Sequence, residues 1–314
     1  MSMNDSVLLT LAGSKPVQLK NICKKTGLSA PALADCIRVL RAAGANIEQI
    51  DDSLYWPDSF DCLDPAVIAA ALECEKNLIT VLDSTTSTNT ILAAEKSVHS
   101  KVVLAEHQSA GVGRRGKPWL SPLGKNLYIS CGWSMPSALL FGGLSLAIGV
   151  AVARALRDIG YDAVGLKWPN DFYVNGSKLG GLLIESSSRG ADAQLIIGLG
   201  LNAHAQDFPE DLPVPATTLA DTNPSLETSC DRNYLAARLV GAIFQELDAI
   251  VSGETSALRC WPAYDVSYNR EVSVLKNGEV ITGVAKGISA DGEFILSTED
   301  GFVSFSQADV SLRI

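Results

Sequence analysis

Lys167-Trp168-Pro169-Asn170-Asp171 and Lys178-Leu179-Gly180-Gly181 stand on either side of Asn175-Gly176, and that central pair sets the geometry around it. Asn-Gly supplies the positive backbone angles of a two-residue turn, so the flanking Gly165–Val174 and Lys178–Ser186 segments predict an antiparallel hairpin. Alternation counted through the turn places Lys178 near residues 171–174. There a cation and a carboxylate either converge on one ligand or form an ordinary cross-strand ion pair. Gly180-Gly181 inside a strand marks close approach of a ligand or of another backbone.

Working outward, Gln194–Asn202 adds a strand, Leu78–Asp83 and Lys101–Glu106 look like buried strands, and Thr90–Lys96 looks helical. Ser137–Ile159, Asp231–Gly253 and Ser256–Tyr264 read as helices, the first of them a long core helix. Residues 66–264 therefore predict a largely antiparallel sheet with helices packed on it, an α+β fold. Before it, residues 1–65 show Val17, Leu19, Ile22 and Cys23 on one helical face, a break at Gly27-Leu28-Ser29, and a second helix from Ser29 to Gly44. A short hairpin over Ile47–Trp56 completes the pattern of a winged helix-turn-helix, although any small helical domain shares its first part. After residue 265, short alternating runs are separated by Lys276-Asn277-Gly278, Ala290-Asp291-Gly292 and Glu299-Asp300-Gly301, as in a small β-barrel over 265–314.

Composition narrows the function. The chain has 314 residues, 47% hydrophobic and 19% charged, with a net charge of −10, which excludes global disorder and general coating of nucleic acid. Seven scattered cysteines without a CxxC pair suit a reducing cytoplasm, and the three histidines have no metal-ligand spacing. The Met1–Gly13 stretch lacks a basic leader, and the apolar Ser137–Ala153 run, interrupted by glycines, is a core helix rather than a membrane span. Across residues 1–65, eight acidic side chains outnumber six basic ones, and the second helix begins with neutral residues around Pro31. Base readout by that helix would need Arg, Lys, Asn or Gln.

The charge is distributed unevenly. No acidic residue occurs from His107 to Arg157, whereas Arg114, Arg115, Lys117, Lys125, Arg154 and Arg157 fall inside that stretch. Such a stretch is either a solvated face or an anion site. Gly111-Val112-Gly113-Arg114-Arg115-Gly116-Lys117-Pro118-Trp119 lies within it, a loop whose amides and guanidiniums suit an anion, though it also reads as a plain surface turn. Pro118 and Pro122 prevent a helix here, and neither common nucleotide fingerprint is present. Ser84 to Asn89 form a hydroxyl and amide cluster suited to a urea or amide group, or to capping a helix at Ser87 or Thr88.

In combination, Ser87-Thr88-Asn89, Gln108, the GxGRRG loop, Trp119, Lys167–Asp171, Lys178–Gly181 and Gly198-Leu199-Gly200-Leu201-Asn202 resemble the biotin protein ligases over nearly the whole chain. The layout is similar to the bifunctional bacterial ligase and biotin operon repressor. That resemblance implies a winged helix-turn-helix, a central mixed sheet like that of class II aminoacyl-tRNA synthetases, and a C-terminal SH3-like barrel. It also implies ATP-dependent, Mg²⁺-assisted activation of biotin to biotinyl-5′-AMP. Transfer to a lysine of the biotin carboxyl carrier domain of acetyl-CoA carboxylase follows. On this resemblance Arg114, Lys178 and Asp171 are catalytic. Ser87, Thr88, Asn89, Gln108, Gly111 and Gly181, with Arg114 and Lys178, hold biotin, and Arg115, Lys117, Trp119, Asn170 and Asn202 hold the nucleotide. A homodimer when the adenylate is bound, and operator DNA, are the further partners implied. No residue is assigned as a metal ligand. Val112 departs from the arginine that the family loop often carries. A biotin-sensing regulator with little transfer activity and a lipoate–protein ligase are the competing classes.

Overall fold

A computed structural model describes residues 7, 11, 15–56, 62–204, 206–224, 226, 231–276, 278–306 and 310–313. The rest of the Met1–Gly13 stretch, Cys230 and Asn277 lie outside the described residues.

The first unit begins with β1 (Val17–Gln18) and α1 (Leu19–Thr26), which stops where Gly27 adopts a φ of 75° and bonds back to the Cys23 carbonyl. α2 (Ala30–Ala42) starts on Ser29, whose hydroxyl accepts the Ala32 N–H, with Pro31 in the first turn where no donor is missed. β2 (Glu48–Ile50) and β3 (Ser53–Tyr55) form the expected hairpin, and β1 joins β3 to give the order β1-β3-β2. Ile22, Leu33, Ile37, Leu40, Leu54 and Trp56 build its core. Leu123, distant in sequence, completes that core: it is 2% exposed and its N–H donates to the Ala43 carbonyl.

α3 (Pro65–Ala71) leads to a seven-stranded sheet. In chain order it contains β4 (Ile79–Leu82), β5 (Val102–Ala105), β6 (Asn126–Pro136), β7 (Gly165–Lys167), β8 (Asp171–Val174), β9 (Ser177–Arg189) and β10 (Asp192–Asn202). Between β4 and β5 lies α4 (Thr88–Ala93), two residues earlier than the expected Thr90 start. The spatial order is β4-β5-β6-β10-β9-β8-β7, antiparallel except for the β4–β5 pair. Two corrections concern the centre. β6 is a strand that the periodicity did not disclose, because both of its faces are buried over most of its length and polar-apolar alternation is lost. The following α5 covers Leu144–Asp158 rather than beginning at Ser137, because Gly142-Gly143 packs against the Asp291-Gly292 turn. No helix among the described residues is long and apolar enough to cross a membrane.

Alternation gives this sheet two different faces. Leu195, Ile197, Leu199 and Leu201 of β10, with Leu127, Ile129 and Cys131 of β6, enter the main core under α5 and α6 (Arg232–Ser252). Each fully buried aliphatic side chain there contributes roughly 1.5–3 kcal/mol. On the opposite face the registers align Ser130 of β6, Gly198 and Gly200 of β10, Gly181 of β9, Asp171 of β8 and Lys167 of β7. α6 is capped by the Asp231 carboxylate at its start and by Gly253, φ 75°, at its end.

Five C-terminal strands, β11 (Glu271–Lys276), β12 (Glu279–Ile288), β13 (Phe294–Thr298), β14 (Gly301–Phe305) and β15 (Val310–Arg313), pair in the order β14-β13-β12-β11-β15. All of these pairs are antiparallel. The Trp168 indole N–H donates to the Gly292 carbonyl at 3.2 Å and its ring meets Phe294 at 5.4 Å, which ties this sheet to the central one.

Candidate active site

The glycine-arginine loop closes on itself through backbone bonds: Trp119 N–H donates to the Gly111 carbonyl (2.8 Å) and Gly113 N–H to the Lys117 carbonyl (2.7 Å). Arg115 (φ 60°) and Gly116 (φ 69°) turn its tip, and the left-handed conformation costs a residue such as Arg115 about 1–2 kcal/mol. The closure lays the Trp119 ring over Gly200, where a Cβ would stand only 2.6 Å from the indole. The buried Trp119 indole N–H has no acceptor among the described residues, a cost that an added ligand acceptor would remove. On the resemblance that assigns Trp119 to the nucleotide, Gly200→Ala should displace Trp119 and raise the KM for ATP about tenfold or more while changing that for biotin much less. Initial rates measured against each substrate would check this.

Beside that loop, the hydroxyl and amide cluster is held by a network that the motifs did not disclose. Ser130 Oγ donates to Asn89 Oδ1 (2.5 Å) and lies 2.7 Å from the Thr88 hydroxyl. Asn89 Nδ2 donates to Glu185 (2.7 Å), and its amide occupies the space over Gly198 that a side chain would fill. Gln108 accepts the Thr88 N–H (2.9 Å) and donates to Ser121 (3.1 Å). Asn89 and Gln108 are thus engaged in building the wall. Ser87 stands at the cap position of α4, but its side chain makes no capping bond.

Lys178 and Asp171 do meet. Their Nζ–Oδ1 distance is 2.7 Å, and the ammonium also sits 5.4 Å from the centre of the Trp119 ring. Lys178 opposes Tyr173 in register, and an irregularity between Phe172 and Tyr173 brings Asp171 opposite Gly181. Arg114 reaches the Asn170 side-chain oxygen at 3.3 Å, and Asn170 in turn donates to the Leu182 carbonyl at 2.5 Å. Burial pulls the Arg114 guanidinium below its ordinary pKa; Asp171 opposes that shift and Arg115 adds to it. The group remains a cation, since an arginine begins so far above neutrality. Asn202 donates to the Thr217 carbonyl at 3.0 Å.

One cleft is lined by Ser87, Thr88, Asn89, Gln108, Gly111, Arg114, Arg115, Lys117, Trp119, Asn170, Asp171, Lys178, Gly181 and Asn202, so the residues that the resemblance assigned to the site converge. Arg38, Val39, Leu40 and Ala42 of α2, with Ala43 and Gly44 after it, also line the cleft, which sequence reasoning did not anticipate. Ser130, Ser121 and Glu185 were also missed. An isolated serine within a strand is visible in sequence, but its function as a brace depends on which loop lies above it.

Residues 81–202 match the Biotin/lipoate A/B protein ligase family, and residues 268–313 match the Biotin protein ligase C terminal domain. The chain is 32% identical over 299 residues to the bifunctional ligase/repressor BirA of Salmonella typhimurium, covering 92% of this chain and 91% of that protein. It belongs to the biotin protein ligase family. The BirA protein of Escherichia coli is 33% identical over 297 residues, covering 91% and 90% of the two chains. Among solved structures, the biotin protein ligase from Aquifex aeolicus in complex with biotin and ATP has a TM-score of 0.65 at 28% identity, covering 75% of this chain and 98% of that one.

Proposed function

We propose that this biotin protein ligase activates biotin with ATP to biotinyl-5′-AMP and passes the biotinyl group to a lysine of the biotin carboxyl carrier domain of acetyl-CoA carboxylase. The observation that carries this is the convergence of Arg114, Lys178, Asp171 and Trp119 on one cleft beside the Ser87–Asn89 cluster. In the first step two anions must approach each other, and Lys178 and Arg114 offset that repulsion while Arg115 and Lys117 add positive field at the loop. Ser87, Thr88 and Gly111 present polar groups toward the biotin head, with Asn89 and Gln108 bracing them and Gly181 leaving room beside Lys178. Trp119, Asn170 and Asn202 receive the nucleotide.

In the second step the acceptor lysine, protonated near pH 7, must lose a proton before it attacks the acyl carbon. Asp171 accepts that proton. Its present bond to Lys178 makes the two functions sequential: when Lys178 turns to the anions, Asp171 is released as a base. Mg²⁺ would arrive on the ATP phosphates. Asp171 would meet it there, and the ion would neutralise phosphate charge.

Residues 1–65, 66–264 and 265–314 form the three units of this reading, as winged helix-turn-helix, class II synthetase-like catalytic domain and SH3-like barrel. The α1–α2 pair with the β2–β3 hairpin supports operator binding by the first unit, as does similarity to relatives named ligase/repressor. Dimerisation when the adenylate is bound and action in the cytoplasm belong to the same reading.

Incubation with ATP, biotin and a carrier domain, followed by streptavidin blotting, should label the carrier; an unlabelled carrier beside a labelled positive control overturns the ligase reading. A salt-dependent gel shift on the promoter of a biotin-synthesis operon, with and without biotin, tests the repressor function. Arg114→Gly should let biotinyl-adenylate escape and raise labelling of bystander proteins. Unchanged off-target labelling would remove Arg114 from retention of the intermediate.

A further inference from the structure

The face that carries Asp171 holds a second cation that the mechanism above does not use. Lys167, at the end of β7, is 8% exposed, and its ammonium donates to the Tyr173 hydroxyl at 3.2 Å and lies 4.9 Å from the centre of that ring. It forms no ion pair within 4 Å among the described residues. Asp171, directly opposite in register, is bonded to Lys178. A buried ammonium without an anion in contact is unfavourable unless a ligand brings the countercharge. Lys167 and Tyr173 both line the cleft.

Strand order says which part of a ligand reaches them. Asn89 and Trp119 lie over Gly198 and Gly200 of β10, Lys178 is on β9, Asp171 and Tyr173 are on β8, and Lys167 is on the outer strand β7. Across these three strand spacings, roughly 14 Å, the site runs from the biotin-facing cluster through the reacting pair to Lys167. We infer that Lys167 and Tyr173 form an anion seat for the pyrophosphate end of ATP, an inference that rests on the ligase reading above. In the step served, a biotin carboxylate oxygen bonds to the α-phosphorus and the bond from that phosphorus to the bridging oxygen breaks. The electron pair leaves with pyrophosphate, and no proton moves. Because Tyr173 accepts from Lys167 on its oxygen, its own O–H is left to donate to a phosphate oxygen. Burial raises the Tyr173 pKa, which keeps that proton in place, and burial also lowers that of Lys167, a shift that a bound polyanion reverses.

Calorimetric titration of the full-length protein with magnesium pyrophosphate, alone and in Lys167→Gln, Lys167→Arg and Tyr173→Phe, tests the seat directly. Lys167→Gln should weaken binding tenfold or more, Tyr173→Phe should weaken it less, and Lys167→Arg should restore most of it. In turnover, Lys167→Gln should cut kcat/KM for ATP in adenylate formation about 10²-fold. Transfer from preformed biotinyl-adenylate to the carrier should stay within about twofold, since pyrophosphate has already left. Equal pyrophosphate affinity in wild type and Lys167→Gln overturns the seat, and so does equal slowing of both half-reactions. Tight pyrophosphate binding lost in Lys167→Gln, from a wild type that makes no biotinyl-adenylate, supports the seat and overturns the ligase reading instead.

Discussion

Lys178→Gln should lower the rate of biotinyl-adenylate formation by about 10²- to 10³-fold, the usual loss when one preorganised charge stabiliser is removed. Two effects add. The cation 2.7 Å from Asp171 and 5.4 Å from the Trp119 ring centre disappears from the place where carboxylate and phosphate must meet. The Asp171 carboxylate then remains without that partner and repels both anions. Asp171→Asn should therefore spare adenylation more than Lys178→Gln does, and should instead slow transfer to the carrier. Thermal stability should barely change, because the pair is partly exposed and such pairs contribute about 0–1 kcal/mol. Single-turnover formation of the adenylate is the measurement; a loss under tenfold would mean that Arg114 carries the charge compensation.

Arg232→Met should cost about 3–5 kcal/mol of folding stability, a large share of the 5–15 kcal/mol typical of a domain. The Arg232 side chain is fully buried, and its guanidinium meets Glu106 Oε2 at 2.6 Å and the Asn126 carbonyl at 3.3 Å. Glu106 Oε1 accepts the Leu63 N–H at 2.6 Å, so one carboxylate joins the segment before α3, the end of β5 and the start of α6. Methionine fills much of the arginine volume but leaves a buried carboxylate without its cation. A companion change, Glu106→Gln, should recover part of the loss, since a neutral amide can still accept from Leu63. Urea unfolding of both variants checks this; a single-variant loss below about 1 kcal/mol would contradict the desolvation argument.

The local elements were legible wherever a backbone requirement selects a residue type. Asn175-Gly176 makes the turn between β8 and β9, Gly27 and Gly253 end helices in left-handed conformations, and Ser29 and Asp231 cap helix starts. β6 was not legible, because a strand buried on both faces loses alternation, and the start of α5 was placed too early because Gly142-Gly143 is answered by a turn of the C-terminal sheet. Nothing local marks Leu123 as part of the N-terminal core that it completes, because its partners lie some eighty residues earlier in the chain.

The candidate site divides in the same way. Residue types that carry charge, donate to anions or leave a strand bare are chosen locally, so the sequence by itself determined the chemistry: cations in an acid-free stretch, hydroxyls before α4, and glycines at 180, 181, 198 and 200. Which groups meet depends on strand order and register, which arise from long-range pairing. Only the tertiary structure decided that Lys178 holds Asp171, that Ser130 and Glu185 brace Asn89, and that Lys167 faces the cleft with a tyrosine hydroxyl for a partner. One strand alternates its side chains without reference to its neighbours. Five strands packed side by side turn that alternation into a surface.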